Sequence, residues 1–317
     1  MLFVIRDGVM KEDFTLKSRF DALGISVLAT IPDDRVRAVL QISHGMYGHK
    51  ERYVPMMEYL SENGIACVTA DHRGHGASVR RSDDLGYMYE GGAEALVDDM
   101  DMVNCWCHER FPGLPVCLLG HSMGALASMM YTKKHDSSIS GLILCGNPSR
   151  QPALSLMILL LRFIGLWNHG RYRLWLVPAL AQRSLNRKFV SEGPGSWTCS
   201  DPKMRESFAA DPLCRFSFTA DAHLCLLSLM SEAYSDQGWN VTTPDLPVYF
   251  ISGSDDPCMK SEHRFHLSAG HIAHMGYSDV SSAIYDGMRH EVLNETERIS
   301  VWNDILSHIN EWTANVR

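Results

Sequence analysis

The sequence has no Cys-x-x-Cys pair, no internal repeat, no low-complexity tract and no apolar run long enough to cross a membrane. Each absence excludes something. Its nine cysteines are scattered and odd in number, and the nearest two are Cys105 and Cys107, so a zinc ribbon or a disulfide framework is not expected. Small buried thiols in a reducing, cytoplasmic setting are the reading instead. The first ten residues carry Arg6 and Asp7 after only a short apolar run, Met1–Ile5, which leaves no apolar core for a signal peptide, and export is not expected. The most apolar stretch, Ala153–Trp167, is broken by Arg162 and falls short of the roughly 20 residues a spanning helix needs. It reads as a buried or interfacial helix. Basic residues are fewer than acidic ones, 29 against 37, and the net charge of -8 speaks against nucleic acid as a partner.

What remains is the composition of a folded protein, 45% hydrophobic and 21% charged over 317 residues. Alternation at Ile25, Val27, Ala29 and Ile31 predicts a strand, and the run Ala38–Ile42, ending at Ser43-His44-Gly45, predicts another. Tyr53, Met57 and Leu60 predict a helix that stops at Asn63-Gly64, followed by a strand at Ile65–Ala70. A helix with Leu96, Met100, Val103 and Cys107 on one face precedes a strand at Val116–Leu119. A helix from Met123 to about Lys134 and a strand at Leu142–Cys145 continue the pattern, and strands return at Pro247–Ser252 and Val280–Tyr285. A final helix is expected to place Ile299, Trp302, Leu306 and Ile309 on one face. Strands alternating with helices predict an α/β fold with a mostly parallel sheet flanked by helices. Between 149 and 239 the alternation breaks into apolar helical stretches with Pro, Gly and Ser joints, so this segment is expected to be a helical cap inserted into a core of 1–148 and 240–317.

The chemistry concentrates at Gly120-His121-Ser122-Met123-Gly124, between a predicted strand and a predicted helix. A Gly-x-Ser-x-Gly match alone is weak, but this position is a sharp turn that lifts a serine hydroxyl above a sheet edge at a helix N-terminus. A serine is a poor nucleophile without a base and an orienting carboxylate. Gly253-Ser254-Asp255-Asp256-Pro257 and Asp286-Gly287-Met288-Arg289-His290-Glu291 each follow a predicted strand, giving the order Ser, Asp, His.

Together with His44-Gly45-Met46-Tyr47-Gly48-His49, Arg52-Tyr53 and Asp71-His72-Arg73-Gly74-His75-Gly76-Ala77-Ser78, these motifs resemble the α/β-hydrolase superfamily. Within it they are similar to the monoacylglycerol lipase, lysophospholipase and carboxylesterase group, also labelled serine aminopeptidase-like. The resemblance covers the core and is vague over the insertion. It implies Ser122 as nucleophile, His290 as base and Asp256, rather than its neighbour Asp255, as the orienting acid. It also implies an oxyanion hole from the backbone N–H groups of Met46 and Met123, and no cofactor or metal. The 71–78 motif is implied to be a structural loop beside the site. The expected substrate is a small-molecule acyl ester or lipid, a monoacylglycerol or a lysophospholipid, cleaved through an acyl-enzyme. A short-chain carboxylesterase, a peptidase and a non-catalytic binding module stay open as alternatives.

Several residues carry two readings. His263, His266, His271 and His274 read as a solvated helix face more readily than as metal ligands. Tyr47, His49 and Tyr53 either touch substrate or anchor their loop. Leu154–Leu161, apolar around the whole helix, faces the core, an acyl chain or a membrane surface, and Arg171, Arg173, Arg183, Arg187 and Lys188 follow it as a basic stretch suited to anionic head groups. Peripheral membrane contact through this segment is therefore an expectation as well.

Overall fold

The structure is a computed structural model that describes residues 2–6, 8–151, 154–165, 170–174 and 176–314. The chain opens with β1 (Leu2–Arg6), β2 (Val9–Lys17), β3 (Gly24–Pro32) and β4 (Ala38–Ser43), then runs through α1 (Val54–Glu62), β5 (Ile65–Ala70), α2 (Gly92–Arg110), β6 (Val116–His121), α3 (Met123–His135) and β7 (Gly141–Cys145). Four helices follow, α4 (Leu154–Gly165), α5 (Leu176–Leu185), α6 (Pro202–Ala210) and α7 (Ala220–Ala233). The chain then closes with β8 (Val248–Gly253), α8 (Glu262–His274), β9 (Val280–Tyr285) and α9 (Arg298–Thr313). The nine strands form one sheet in the order β1-β2-β3-β5-β4-β6-β7-β8-β9. Pairing is antiparallel from β1 through β3 to β5 and parallel from β5 onward. The protein has the α/β-hydrolase fold.

Period-two alternation decides which side chain serves which layer. In β6, Leu118 packs in the cluster under α2, α3 and α7, while Cys117 and Leu119 pack in the cluster formed with α1 and α9. Leu118 and Leu119 are fully buried, each contributing about 2 kcal/mol of hydrophobic stabilisation. Where a central strand carries a polar residue, its partners come with it. Buried Gln41 donates to the Met100 carbonyl (2.9 Å) and accepts from Asn104 (3.0 Å), both on α2.

Three expectations need correction or completion. No strand is expected before Ile25, yet β1 and β2 form an antiparallel hairpin; polar residues interrupt the apolar period of β2, where Glu12 is buried and pairs with Arg110 at 3.0 Å. Ile299 is 46% exposed, because the inward face of α9 starts one turn later, at Val301, Trp302, Ile305 and Ile309. The fully apolar helix is buried along one line only: Leu154 and Leu161 face inward, whereas Leu156, Leu159 and Leu160 are exposed. Ala153, Leu166 and Trp167 of that stretch lie outside the described residues. The last helix of the 149–239 segment, α7, shares the core cluster with α2 and α3 through Ala222, Cys225, Leu229 and Met230.

Candidate active site

All six parallel strands β4, β5, β6, β7, β8 and β9 end on the same edge of the sheet, where open α/β sheets bind ligands. Ser122 sits between β6 and α3 with φ +56° and ψ −113°, a strained conformation for a residue bearing a side chain. Its N–H donates to the Cys145 carbonyl of β7 at 2.9 Å, which pins the turn to the sheet. The flanking glycines are required by close approach. A Cβ at Gly124 would lie 2.0 Å from the Ser43 carbonyl oxygen, and one at Gly120 would lie 2.4 Å from the Gly124 oxygen. Backbone atoms cannot yield to such contacts, so β4, β6 and α3 meet here only without side chains.

Loops after β8 and β9 bring the other two candidates to this serine. His290 Nε2 lies 2.8 Å from Ser122 Oγ, and His290 Nδ1 lies 3.0 Å from each Asp256 carboxylate oxygen. Asp256 is held in turn by Ser252 Oγ (3.0 Å) and the Cys258 N–H (2.8 Å), with its side chain removed from solvent. Burial alone would lower the His290 pKa, but the adjacent Asp256 carboxylate outweighs it and holds the imidazole well above the ordinary value. Asp255 is half exposed and points to Lys188 at 3.7 Å, away from the histidine. Tyr53 fixes the motif's other histidine, with its hydroxyl 3.1 Å from His121 Nδ1.

The loop after β4 approaches from the opposite side. The Cβ position of Gly45 is 3.2 Å from Ser122 Cβ. His44 is buried and accepts the His72 N–H on Nε2 at 2.9 Å, so its proton resides on Nδ1, which donates to the Gly45 carbonyl at 2.8 Å. Burial, aided by His72, keeps His44 neutral by driving its pKa well below the usual value. Gly48 N–H binds the same carbonyl at 3.1 Å. Gly45 C=O and Met46 N–H belong to one trans peptide and point in opposite directions, so two bonds on the carbonyl set the direction of the N–H. Neither the Met46 nor the Met123 N–H has a hydrogen-bond partner among the described residues. The Asp71–Ser78 segment supports this loop: Asp71 accepts from the Lys50 and Ala77 N–H groups, and fully buried Arg73 pairs with Asp99 at 2.9 Å.

A pocket of about 850 Å³ opens over Ser122. Met46, Tyr47, His121 and His290 form its floor, and Pro178, Gln182, Val190, Trp197, Phe208 and Phe216 from the 149–239 segment complete its walls. These wall residues escaped the sequence reading, since they come from turns and short helices without periodic pattern. Tyr47 both lines the pocket and packs on Phe216 at 5.3 Å, whereas His49 and Tyr53 are buried loop anchors. One wall is stitched to the loop bearing His290. Arg289 donates to the Ser196 carbonyl (2.5 Å) and pairs with Glu192 (2.6 Å), the Glu291 N–H binds the Thr198 carbonyl (2.7 Å), and Trp197 packs 5.1 Å from the His290 ring. Arg52 makes a second tie, pairing with Glu291 at 2.5 Å while lying 4.6 Å over the Phe208 ring.

Ligand atoms close enough for a metal occur at His49, Asp211 and Cys214, and at Asp256, Cys258 and His290. In the first group His49 already bonds Asp211 at 2.8 Å, and the Arg52 charge beside Cys214 opposes a cation. In the second the carboxylate is occupied by His290 and Ser252. His263, His266 and His274 lie exposed on α8, and His271 is half-buried facing Asp236. Of the basic stretch, Arg171 pairs with Asp84 and Arg173 binds the carbonyls of Asp83, Leu85 and Ser217, so these two serve the fold.

Comparison with known proteins accords with this geometry. The chain is 24% identical over 280 residues to a monoacylglycerol lipase of Mycolicibacterium smegmatis, covering 88% of this chain and 90% of the relative. It is 23% identical over 289 residues to the monoglyceride lipase of Homo sapiens, covering 89% and 84%. Among solved structures, a thermostable carboxyl esterase from Bacillus coagulans superposes with a TM-score of 0.88 at 25% identity, covering 96% of this chain and 99% of that one. The monoglyceride lipase of Saccharomyces cerevisiae superposes with a TM-score of 0.71 at 20% identity, covering 95% of each chain. The family model described as serine aminopeptidase, S33, matches residues 34–297, and the protein belongs to that family.

Proposed function

We propose that the protein is a serine hydrolase that cleaves carboxylic esters of single-chain acyl lipids through an acyl-enzyme intermediate. The observation that carries this is the hydrogen-bonded chain Ser122–His290–Asp256 lying at the floor of an apolar-walled pocket. Ser122 Oγ attacks the ester carbonyl while His290 Nε2 takes its proton, and Asp256 keeps the imidazole in the Nδ1–H tautomer and stabilises the imidazolium. The N–H groups of Met46 and Met123 receive the developing oxyanion, each such donor typically contributing about 3 kcal/mol in the transition state. His290 then protonates the departing alcohol, and a water deprotonated by the same nitrogen releases the acid. The names of the relatives, monoacylglycerol lipases over most of both lengths, support this substrate class.

In this reading residues 1–148 and 240–317 form the catalytic core and 149–239 the cap, with α7 as the cap's anchor in the core cluster. The exposed apolar face of α4, with Leu159 at 64% exposure, is the contact through which the enzyme rests on a membrane surface to collect its substrate. No helix among the described residues is long and apolar enough to cross a membrane. The nine free cysteine thiols support the cytoplasmic setting proposed for it.

The test is a series of esters with acyl chains from acetyl to palmitoyl, assayed below micelle-forming concentrations. Each methylene buried in the pocket is worth about 0.8 kcal/mol, roughly fourfold, so kcat/KM is expected to climb with length. A maximum at acetyl or butyryl esters would replace the lipase reading with a short-chain esterase. Fluorophosphonate labelling of the wild type but not of Ser122→Ala checks the nucleophile. Absence of labelling in the wild type would end the catalytic reading.

A further inference from the structure

The loop that carries the Met46 N–H contains a residue in a conformation its side chain disfavours. The Gly48 N–H donates to the Gly45 carbonyl at 3.1 Å, so residues 45–48 form a β-turn with Met46 and Tyr47 at its centre. Tyr47 has φ +62°, whereas Met46 is not among the residues with positive φ, and this combination is the type II turn. Its third position ordinarily takes glycine, because a Cβ there crowds the backbone. A tyrosine persists at such a φ only where its surroundings hold it. Here they do so from the 149–239 segment. The Tyr47 ring lies 5.3 Å from Phe216 and 4.9 Å from fully buried Phe218. His75 lies 5.4 Å from each phenylalanine and 5.1 Å from His44, which itself donates to the Gly45 carbonyl. Phe218 precedes Thr219, whose hydroxyl accepts the Ala222 N–H at the start of α7 and whose own N–H donates to the Gly86 carbonyl at 2.9 Å. The aromatic contact is thus made by the end of the segment that is anchored in the core.

Without the ring, residue 47 is free to relax to negative φ. A type II turn that becomes type I rotates ψ of its second residue by roughly 150°, which turns over the Met46–Tyr47 peptide beside the oxyanion donor. We propose that Tyr47 is a positioning residue: its ring, clasped by Phe216 and Phe218, holds the turn that directs the Met46 N–H toward the reacting carbonyl oxygen. This rests on the ester-hydrolase reading and adds to it that the oxyanion hole depends on the docked 149–239 segment.

The experiment compares Tyr47→Phe, Tyr47→Gly and Tyr47→Ala in the full-length protein on an acetyl and an octanoyl ester, with circular dichroism to check that each variant is folded. Tyr47→Phe keeps the ring and is expected to retain kcat within about twofold. Tyr47→Ala loses the ring but keeps the Cβ, and Tyr47→Gly loses both and takes positive φ without strain. A kcat loss of about tenfold in Tyr47→Ala and only about threefold in Tyr47→Gly is expected, by the same factor for both esters. A side chain that only fills space gives the reverse order, and one that only lines the pocket gives losses in KM or losses that vary with acyl length. Either pattern, or a Tyr47→Phe variant as impaired as Tyr47→Ala, overturns the proposal. Crystal structures of the two truncated variants separate this inference from the hydrolase reading. Negative φ at residue 47 in Tyr47→Ala, with positive φ kept in Tyr47→Gly, upholds the clasp even where no ester is cleaved. Positive φ in Tyr47→Ala removes it even where esters are cleaved well.

Discussion

The carboxyl edge of the sheet and the 149–239 segment that faces it handle polar and apolar groups in opposite ways. At the sheet edge, charged and polar side chains are buried and matched: Asp256 by His290, Ser252 and a backbone N–H, Arg73 by Asp99, His44 by two backbone groups. In the segment, apolar side chains such as Leu156, Leu159 and Leu160 stand exposed, and the solvent-exposed Arg183 and Arg215 at the pocket make no ion pair among the described residues. The first region is pre-organised, since Ser122, His290, Asp256 and the Gly45–Met46 peptide are each held in a defined direction by hydrogen bonds. The second presents surface whose complement is absent from the chain. Chemistry and choice of substrate are therefore divided between two parts of the molecule with different physics.

Substitutions in the two regions should differ in kind. Asp256→Asn leaves shape nearly unchanged but frees the His290 tautomer, and kcat is expected to fall about ten-thousandfold. The pH profile gives a second readout. Protonated His290 cannot accept the Ser122 proton, so activity falls as pH drops through the His290 pKa, and Asp256 places that limb above the ordinary histidine value. In Asp256→Asn the largest opposition to burial is removed, with only that of Cys258 left, and the residual activity should persist to lower pH; an acid limb that stays in place would break the assignment. His44→Gln acts one step removed, by releasing the Gly45 carbonyl and so the Met46 N–H. An approximately hundredfold loss in kcat with little change in KM is expected, and a loss confined to KM would move His44 out of this role. The smallest effect on folding belongs to α4. Replacing Leu156, Leu159 and Leu160 by serine should change unfolding free energy by less than about 0.5 kcal/mol per site while abolishing sedimentation with liposomes. A variant that still sediments would leave the exposed face without its membrane.

The same division explains what was legible in the sequence. Strand–loop–helix order with Gly-x-Ser-x-Gly at a junction marks the sheet edge, because steric demands there admit few residue types; Gly124 against Ser43 is an example. The segments that hold Asp256 and His290 follow predicted strands, and the resemblance to the family, rather than the pattern itself, picks these two residues out of them. The pocket walls carry no such signal. Trp197, Phe208 and Phe216 are brought together by tertiary folding of short elements, and nothing local distinguishes them from ordinary core aromatics. Helix faces near element ends were also hard to read. Ile299 fits the period of α9 but lies in its first turn, where it is exposed, ahead of the buried residues Val301, Trp302, Ile305 and Ile309. In α4 the sequence has no polar face from which to infer orientation, and only packing on α7 decides that Leu154 and Leu161 turn inward.

Arg289 gives the pocket a property that neither region has alone. Because it holds the backbone at Ser196 and the carboxylate of Glu192 while adjoining His290 in the chain, the height of the pocket ceiling and the seat of the base are one mechanical variable. If the proposed function holds, an acyl chain too bulky for the space beneath Trp197 is expected to displace the imidazole along with the wall. Such a substrate would then meet a misplaced proton acceptor as well as a clash, and selection by size is expected to show in kcat as well as in KM.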